Sequence, residues 1–327
     1  MTLRVGILGF GVMGRNHASV LADLDGVELV AVADTADHQA AGLPHGKVCA
    51  NLKELLSEGI EACVVATPTA NHFDAGLALA EAGVHCMIEK PLTSCPDEAR
   101  ILIDAFSSRG LVACVGYVER FNPAIIELRH NIERGALGTV HSIRTIRQSG
   151  FSLRTAAVGV IEDLATHDLD TAQWIGQAGF RDLDVTADAL RDPAYEDLAA
   201  IAGRLENGVV VSHYVDRISP MRRRITEVSG SLGLAIADAL SPSLTLYLVA
   251  NIDSAPDREN GEIRVVKPQL LTSQPLRLEL QALRDAILGG SHAADIVPLA
   301  EALRTVECVV KLQAQLPYRR PTREDVS

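Results

Sequence analysis

The chain predicts two domains of different class. The first, over 1–120, is α/β with a doubly wound parallel sheet; the second, over 121–327, is α+β on an open, mainly antiparallel sheet. Three observations carry this. Apolar runs alternate with helix-compatible segments up to residue 120, the pattern of a parallel sheet with helices on both faces. A glycine-rich turn, Gly9-Phe10-Gly11-Val12-Met13-Gly14, separates the first apolar run from the first helix. In the second half, apolar runs follow one another without long helices between them, and Asn207-Gly208 signals a hairpin.

The elements follow in order. A strand over 3–8 leads through the glycine turn to a helix over 16–24, and a strand over 27–33 delivers Asp34. Leu52, Leu55 and Leu56 stripe a helix over 51–58. A strand over 62–66 stops at Thr67-Pro68, a helix covers 71–82, and a strand over 85–88 stops at Glu89-Lys90-Pro91. A helix over 97–108 feeds a strand ending at Gly116-Tyr117. Ligands of such sheets sit beyond the carboxyl ends of the strands, so these four strand ends mark one crevice. The second domain reads as helix 123–134, strand 140–148, helix 159–176, six strands between 184 and 249, and closing helices over 275–288 and 298–316.

A length of 327 residues suits two domains. Hydrophobic content of 47% with 22% charged residues is that of a folded chain. A net charge of −12 argues against nucleic acid as partner, because phosphate binding needs a basic face. No apolar run is long enough to span a bilayer, and the N-terminus enters a strand directly, so the expectation is a soluble cytoplasmic protein with no membrane partner. The six cysteines show no ligand spacing and read as reduced and structural, with no metal site.

The glycine turn sits in the full context of a Rossmann dinucleotide site. Gly9 permits the tight turn, Gly11 lets the backbone approach a diphosphate, and Gly14 lets helix and strand pack closely. The helix N-terminus offers unpaired N–H groups and the positive end of its dipole. Asp34 accepts from ribose hydroxyls and repels a 2′-phosphate, so the cofactor expected is NAD rather than NADP.

Two further features could do chemistry. Lys90 ends a strand at the nucleotide crevice, where an ammonium can polarise a substrate oxygen; position alone equally suits a surface lysine. Asp163 and His167 stand four apart and share one face of a helix, where an imidazole can serve as base for a hydroxyl proton. An acidic, solvated helix start accounts for the same residues equally well.

Taken in order, Gly9 to Gly14, Ala66-Thr67-Pro68-Thr69-Ala70-Asn71-His72, Glu89-Lys90-Pro91-Leu92 and the Asp163–His167 spacing resemble the Gfo/Idh/MocA oxidoreductases over essentially the whole chain. The resemblance implies catalytic roles for Lys90 and His167, with Asp163 contacting or supporting the substrate. It implies cofactor contacts at Gly9, Phe10, Gly11, Val12, Met13, Gly14, Asp34, Thr67, Pro68, Asn71, His72, Glu89 and Lys90. Substrate contacts are implied at Lys90, Tyr117, Asn122, Arg154, Asp163 and His167. The segments 116–124 and 158–168 are most similar to the branch of UDP-N-acetylglucosamine 3-dehydrogenases. The expected activity is NAD-dependent hydride transfer at a secondary alcohol or ketone of a sugar, amino sugar or nucleotide sugar, with the 3-position favoured. An inositol dehydrogenase, a glycosidase that recycles bound NAD, and a non-catalytic NAD or sugar sensor remain open. A homodimer or homotetramer is expected, and Arg222-Arg223-Arg224 could meet a diphosphate or lie on a solvated strand edge.

Overall fold

Strands buried on both faces read as near-continuous apolar runs, and those of the first half do so. The structure is a computed structural model and describes residues 2–35, 46–150, 158–249 and 262–317. Strands β1 (Leu3–Leu8), β2 (Val27–Ala33), β3 (Lys47–Cys49), β4 (Ala62–Val65), β5 (His85–Glu89) and β6 (Ala113–Gly116) form a wholly parallel sheet in the order β3-β2-β1-β4-β5-β6. The chain lays β2 and β3 on one side of β1 and β4 to β6 on the other, which sets the switch point between β1 and β4. Edge strand β3 has only three residues, too few to show a period in sequence.

Alternate residues feed two cores. Val5, Val64, Met87 and Cys114 pack with Leu21 of α1 (Val12–Leu21) and with Leu280 and Leu283 of α7 (Pro275–Leu288). Cys63, Val65, Cys86, Ile88 and Val115 pack on the other face with Leu55 of α2 (Leu52–Ser57), Leu79 of α3 (His72–Glu81) and Leu102 of α4 (Pro96–Ser107). Helix α1 starts at Val12, directly on the glycine turn and four residues before the expected Asn16.

The chain divides into two compact units, Met1–Val118 with Gln274–Glu307, and Glu119–Ser273 with Cys308–Ser327. A single division at residue 120 did not anticipate the return of α7 to the first unit. Its apolar stripe finds its partner on the β1 side of the parallel sheet, a match that sequence order cannot reveal. Helix α8 (Leu299–Ala314) contributes its first turns to the first unit's core and Cys308, Val309 and Leu312 to the second's.

The second unit holds β7 (Val140–Gln148), β8 (Phe180–Asp188), β9 (Leu198–Leu205), β10 (Val210–Asp216), β11 (Arg223–Gly230), β12 (Gly233–Asp238), β13 (Ser243–Val249) and β14 (Ile263–Val266). They form one sheet in the order β14-β13-β12-β11-β7-β10-β9-β8, antiparallel except for the parallel pair β7–β10. Ile125 and Leu128 of α5 (Pro123–Glu133) and Ala172 and Ile175 of α6 (Thr166–Gly176) cover Ile143, Val211, Val228 and Leu246 on one face. Register carries Val210, Ser142, Ser229, Leu234, Tyr247 and Val265 across the other face, where Val210, Tyr214, Tyr247 and Val265 are exposed.

His213 on β10 lies buried on the covered side, with Nδ1 2.8 Å from Thr145 Oγ1. Burial brings its pKa down from 6.5 to about 4. Stability from the neutral ring is full above the unfolded value near 6.5 and is lost as pH falls through the folded value, by on the order of 3 kcal/mol. Denaturant titrations at pH 7 and pH 4.5 should therefore show a larger loss for the parent than for His213→Gln, and equal losses would contradict this assignment.

Candidate active site

In the first unit, β1, β4 and β5 end side by side. Gly9 has φ +93°, and a Cβ there would lie 2.6 Å from the Ala66 carbonyl oxygen. A Cβ on Gly14 would lie 2.0 Å from the Gly9 carbonyl oxygen, whereas one on Gly11 would meet nothing within 4 Å. The turn is thus closed by β4 on one side and open at Gly11 on the other. Helix α1 has no side-chain N-cap and no acidic residue in its first turn, and Val12 is exposed. This is a cradle suited to a diphosphate. Asp34 Oδ2 accepts from the Phe10 N–H at 2.6 Å, so the carboxylate at the end of β2 also braces the glycine turn. The Arg15 guanidinium stacks 4.8 Å from the Phe10 ring centroid.

Thr67 and exposed Pro68 follow β4, and a short turn over Thr69–Asn71 leads into α3. His72, expected at the cofactor, is 1% exposed, with Nδ1 2.9 Å from the Pro91 carbonyl oxygen and Nε2 2.9 Å from that of Thr67. It braces the loops after β4 and β5. Burial lowers its pKa, partly offset by those two carbonyls. Glu89 is also buried: its Oε1 lies 2.8 Å from His17 Nε2 and its Oε2 accepts from the Lys90 N–H at 3.3 Å. Lys90 is half-buried at the strand end, before a cis Pro91 peptide bond. Tyr117, expected at substrate, has no exposed surface and is a core side chain here.

In the second unit, the helix expected over 159–176 is divided. Ile161–Ala165 forms a π-helical turn and α6 begins at Thr166. Such turns recur at functional sites because they shift side chains relative to a regular helix. Asp163 lies in the π turn, partly exposed like its neighbours Glu162 and Leu164, and His167 lies in the first turn of α6, partly exposed between buried Thr166 and Asp168. Glu196 Oε1 accepts from the Ile161 N–H at 2.9 Å, in space that a side chain at Gly159 would fill. Asp168 and Asp170, beside His167, are buried rather than solvated. Arg147 Nε and Nη2 donate to Asp168 at 3.0 and 3.2 Å, and Arg120 Nε and Nη2 both donate to Asp170 at 2.7 Å. These two-pronged pairs fix the rotation of α6 about its axis.

Asn122, also expected at substrate, caps α5: its Oδ1 accepts from the Ala124 N–H at 3.0 Å and its Nδ2 donates to the Ala239 carbonyl at 2.9 Å. Both ends of the amide hold the fold. Arg154 lies outside the described residues. Of the arginine run, Arg223 donates to Gln148 Oε1 at 3.4 Å and Arg224 lies 3.7 Å from Glu119 Oε2, while Arg222 is exposed. A hollow of about 630 Å³ over the outer sheet face, lined by Arg144, Gln148, Thr186, Tyr214 and Arg223 among others, includes none of the expected site residues. Among the described residues no cluster of three metal-ligating side chains occurs, and no helix is long and apolar enough to cross a membrane.

Sequence reasoning missed His17, Glu196 and the Arg147–Asp168 and Arg120–Asp170 pairs. Their partners lie tens of residues away, and an isolated acidic run carries no mark of burial.

Comparison with known proteins places this geometry among relatives. Residues 3–117 match the oxidoreductase family with NAD-binding Rossmann fold, and residues 125–236 match the Gfo/Idh/MocA C-terminal domain. The chain is 32% identical over 251 residues to UDP-N-acetylglucosamine 3-dehydrogenase of Acidithiobacillus ferrooxidans, covering 75% of this chain and 77% of that one. It is 28% identical over 279 residues to scyllo-inositol 2-dehydrogenase (NAD(+)) of Bacillus subtilis, covering 78% and 80%. A solved structure of the Acidithiobacillus enzyme superposes with a TM-score of 0.84 at 26% identity, covering 97% of this chain and 98% of that one. Levoglucosan dehydrogenase in complex with NADH and levoglucosan superposes with a TM-score of 0.84 at 20% identity, over 96% and 97%, a likeness of fold.

Proposed function

The chain belongs to the Gfo/Idh/MocA family of NAD-binding oxidoreductases, and from that premise we propose that it moves a hydride between NAD and a secondary alcohol or ketone of a sugar, amino sugar or nucleotide sugar, with the 3-position favoured. The observation that carries the reading is the half-buried Lys90 at the end of β5, in the same row of strand ends as the open Gly11 turn. The turn and the uncapped start of α1 suit the diphosphate, and Asp34 suits the ribose. When bound, NAD supplies the hydride acceptor for alcohol oxidation. In this reading His167 takes the hydroxyl proton, the Lys90 ammonium stabilises the developing alkoxide oxygen, and Asp163 orients the sugar. Screening sugars, nucleotide sugars, inositols and aminoglycosides for NADH formation tests it. Product formation without NADH accumulation would point instead to a glycosidase that recycles its cofactor.

NAD should bind at least about tenfold more tightly than NADP, because a 2′-phosphate beside Asp34 meets like charge at close range. Asp34→Ala should narrow that gap and, by releasing the Phe10 N–H, weaken NAD as well. Calorimetric titration with both nucleotides decides it; equal affinities in the parent protein would overturn the assignment.

Assembly as a homodimer or homotetramer belongs to the same reading. It is supported by the exposed side chains of Val210, Tyr214, Tyr247 and Val265 on the outer sheet face. Light scattering in solution tests it, and a monomer would refute it.

A further inference from the structure

Two buried titratable side chains of the first unit, His17 and Glu89, meet at the end of β5, and a third, Glu279, is close enough to feel the Glu89 charge. His17, on α1, has no exposed surface and holds Glu89 through Nε2 at 2.8 Å. Glu279, on α7, is 1% exposed, and both its carboxyl oxygens are buried with no hydrogen-bond partner among the described residues. His17 Nδ1 is buried in the same condition. Helices α1 and α7 pack on one face of the sheet through Ala18, Leu21, Leu280 and Leu283, next to these residues in sequence. Gly116, at the end of β6, leaves room for the Glu89 carboxylate, since a Cβ there would sit 3.3 Å from it.

An orphaned buried polar atom in a native fold calls for a partner. Here the two orphans are complementary. With Nε2–H given to Glu89, the neutral His17 ring presents an acceptor at Nδ1. Burial, and then the nearby Glu89 charge, push the Glu279 pKa well up, so its carboxyl keeps its proton and offers an O–H. The remaining titratable neighbour of Glu279 is the buried Cys114 thiol of β6, raised by burial and by Glu279.

We propose that one internal water accepts from the Glu279 carboxyl and donates to His17 Nδ1, and so completes a chain from Glu279 through His17 and Glu89 to the Lys90 N–H that positions Lys90. Glu279 and His17 are then positioning residues that link the dinucleotide-binding helix to the strand end. Their catalytic consequence rests on the reading of Lys90 given above.

The test compares Glu279→Gln, which keeps a donor, with Glu279→Leu, which removes it at similar bulk. Hydrogen exchange of the 89–92 segment in the full chain is the readout that needs no substrate. The Leu variant should exchange there about tenfold faster, the worth of one buried hydrogen bond. With any substrate that responds, its kcat should fall about tenfold and its KM much less, while the Gln variant stays near the parent. Parent-like exchange in the Leu variant, or equal damage from Gln and Leu, would overturn the proposal. If the Leu variant does not fold, the pH course of exchange decides. The parent should loosen at 89–92 as rising pH ionises Glu279, above the usual carboxylate range, and the Gln variant should not; superimposable courses overturn it. Full turnover in Lys90→Met would remove the catalytic consequence yet leave the exchange result to judge the positioning.

Discussion

His167→Asn should lower alcohol oxidation by about 10²–10⁴-fold, the contribution of a positioned base. Asparagine keeps polarity and similar bulk but cannot take the hydroxyl proton. The fold should tolerate the change, because the neighbouring Asp168 and Asp170 hold α6 through their buried pairs with Arg147 and Arg120. NAD affinity should change little, since the cradle for the diphosphate is built from β1, α1 and Asp34, all in the other unit. Rates measured across pH in parent and variant provide the check: the parent's fall on the acid side, as the imidazole protonates, should be missing from the residual activity of the variant. Normal turnover in His167→Asn would place the base elsewhere, with Asp163 the next residue to test.

Lys90→Met should lower turnover by about 10²–10³-fold, the effect of losing one electrostatic stabiliser aimed at developing charge. Methionine retains most of the apolar stem, and the backbone at this position remains tied to Glu89. Melting temperature and NAD affinity should therefore stay close to the parent's while kcat falls. Turnover within twofold of the parent would show that Lys90 is only a strand-end lysine. The two substitutions also differ in kind: loss of the base should alter the pH dependence, whereas loss of the ammonium should lower the rate at every pH.

The parallel sheet was legible because its information is local. Each of β1, β2, β4, β5 and β6 is an apolar run closed by a turn, and the glycines at 9, 11 and 14 answer a backbone geometry that few other residues allow. Lys90, Asp163 and His167 stood out as candidates for the same reason, each being marked by its immediate neighbours in the chain. The hairpin at Asn207-Gly208 likewise announced β9 and β10.

What depended on distant partners was decided only by the tertiary structure. Helix α7 looks like part of the second domain until its apolar stripe is seen against the parallel sheet. Asp168 and Asp170 look solvated until Arg147 and Arg120 are brought to them across 21 and 50 residues of sequence. Asn122, His72 and Tyr117 carry side chains fit for a ligand, yet their polar atoms or rings are taken up by a helix cap, a brace between two loops, and a core. A residue's type and its local spacing determine which interactions it can make. Which of them it makes is set by competition among all the groups that folding brings within reach, and that competition has no signature in the local sequence.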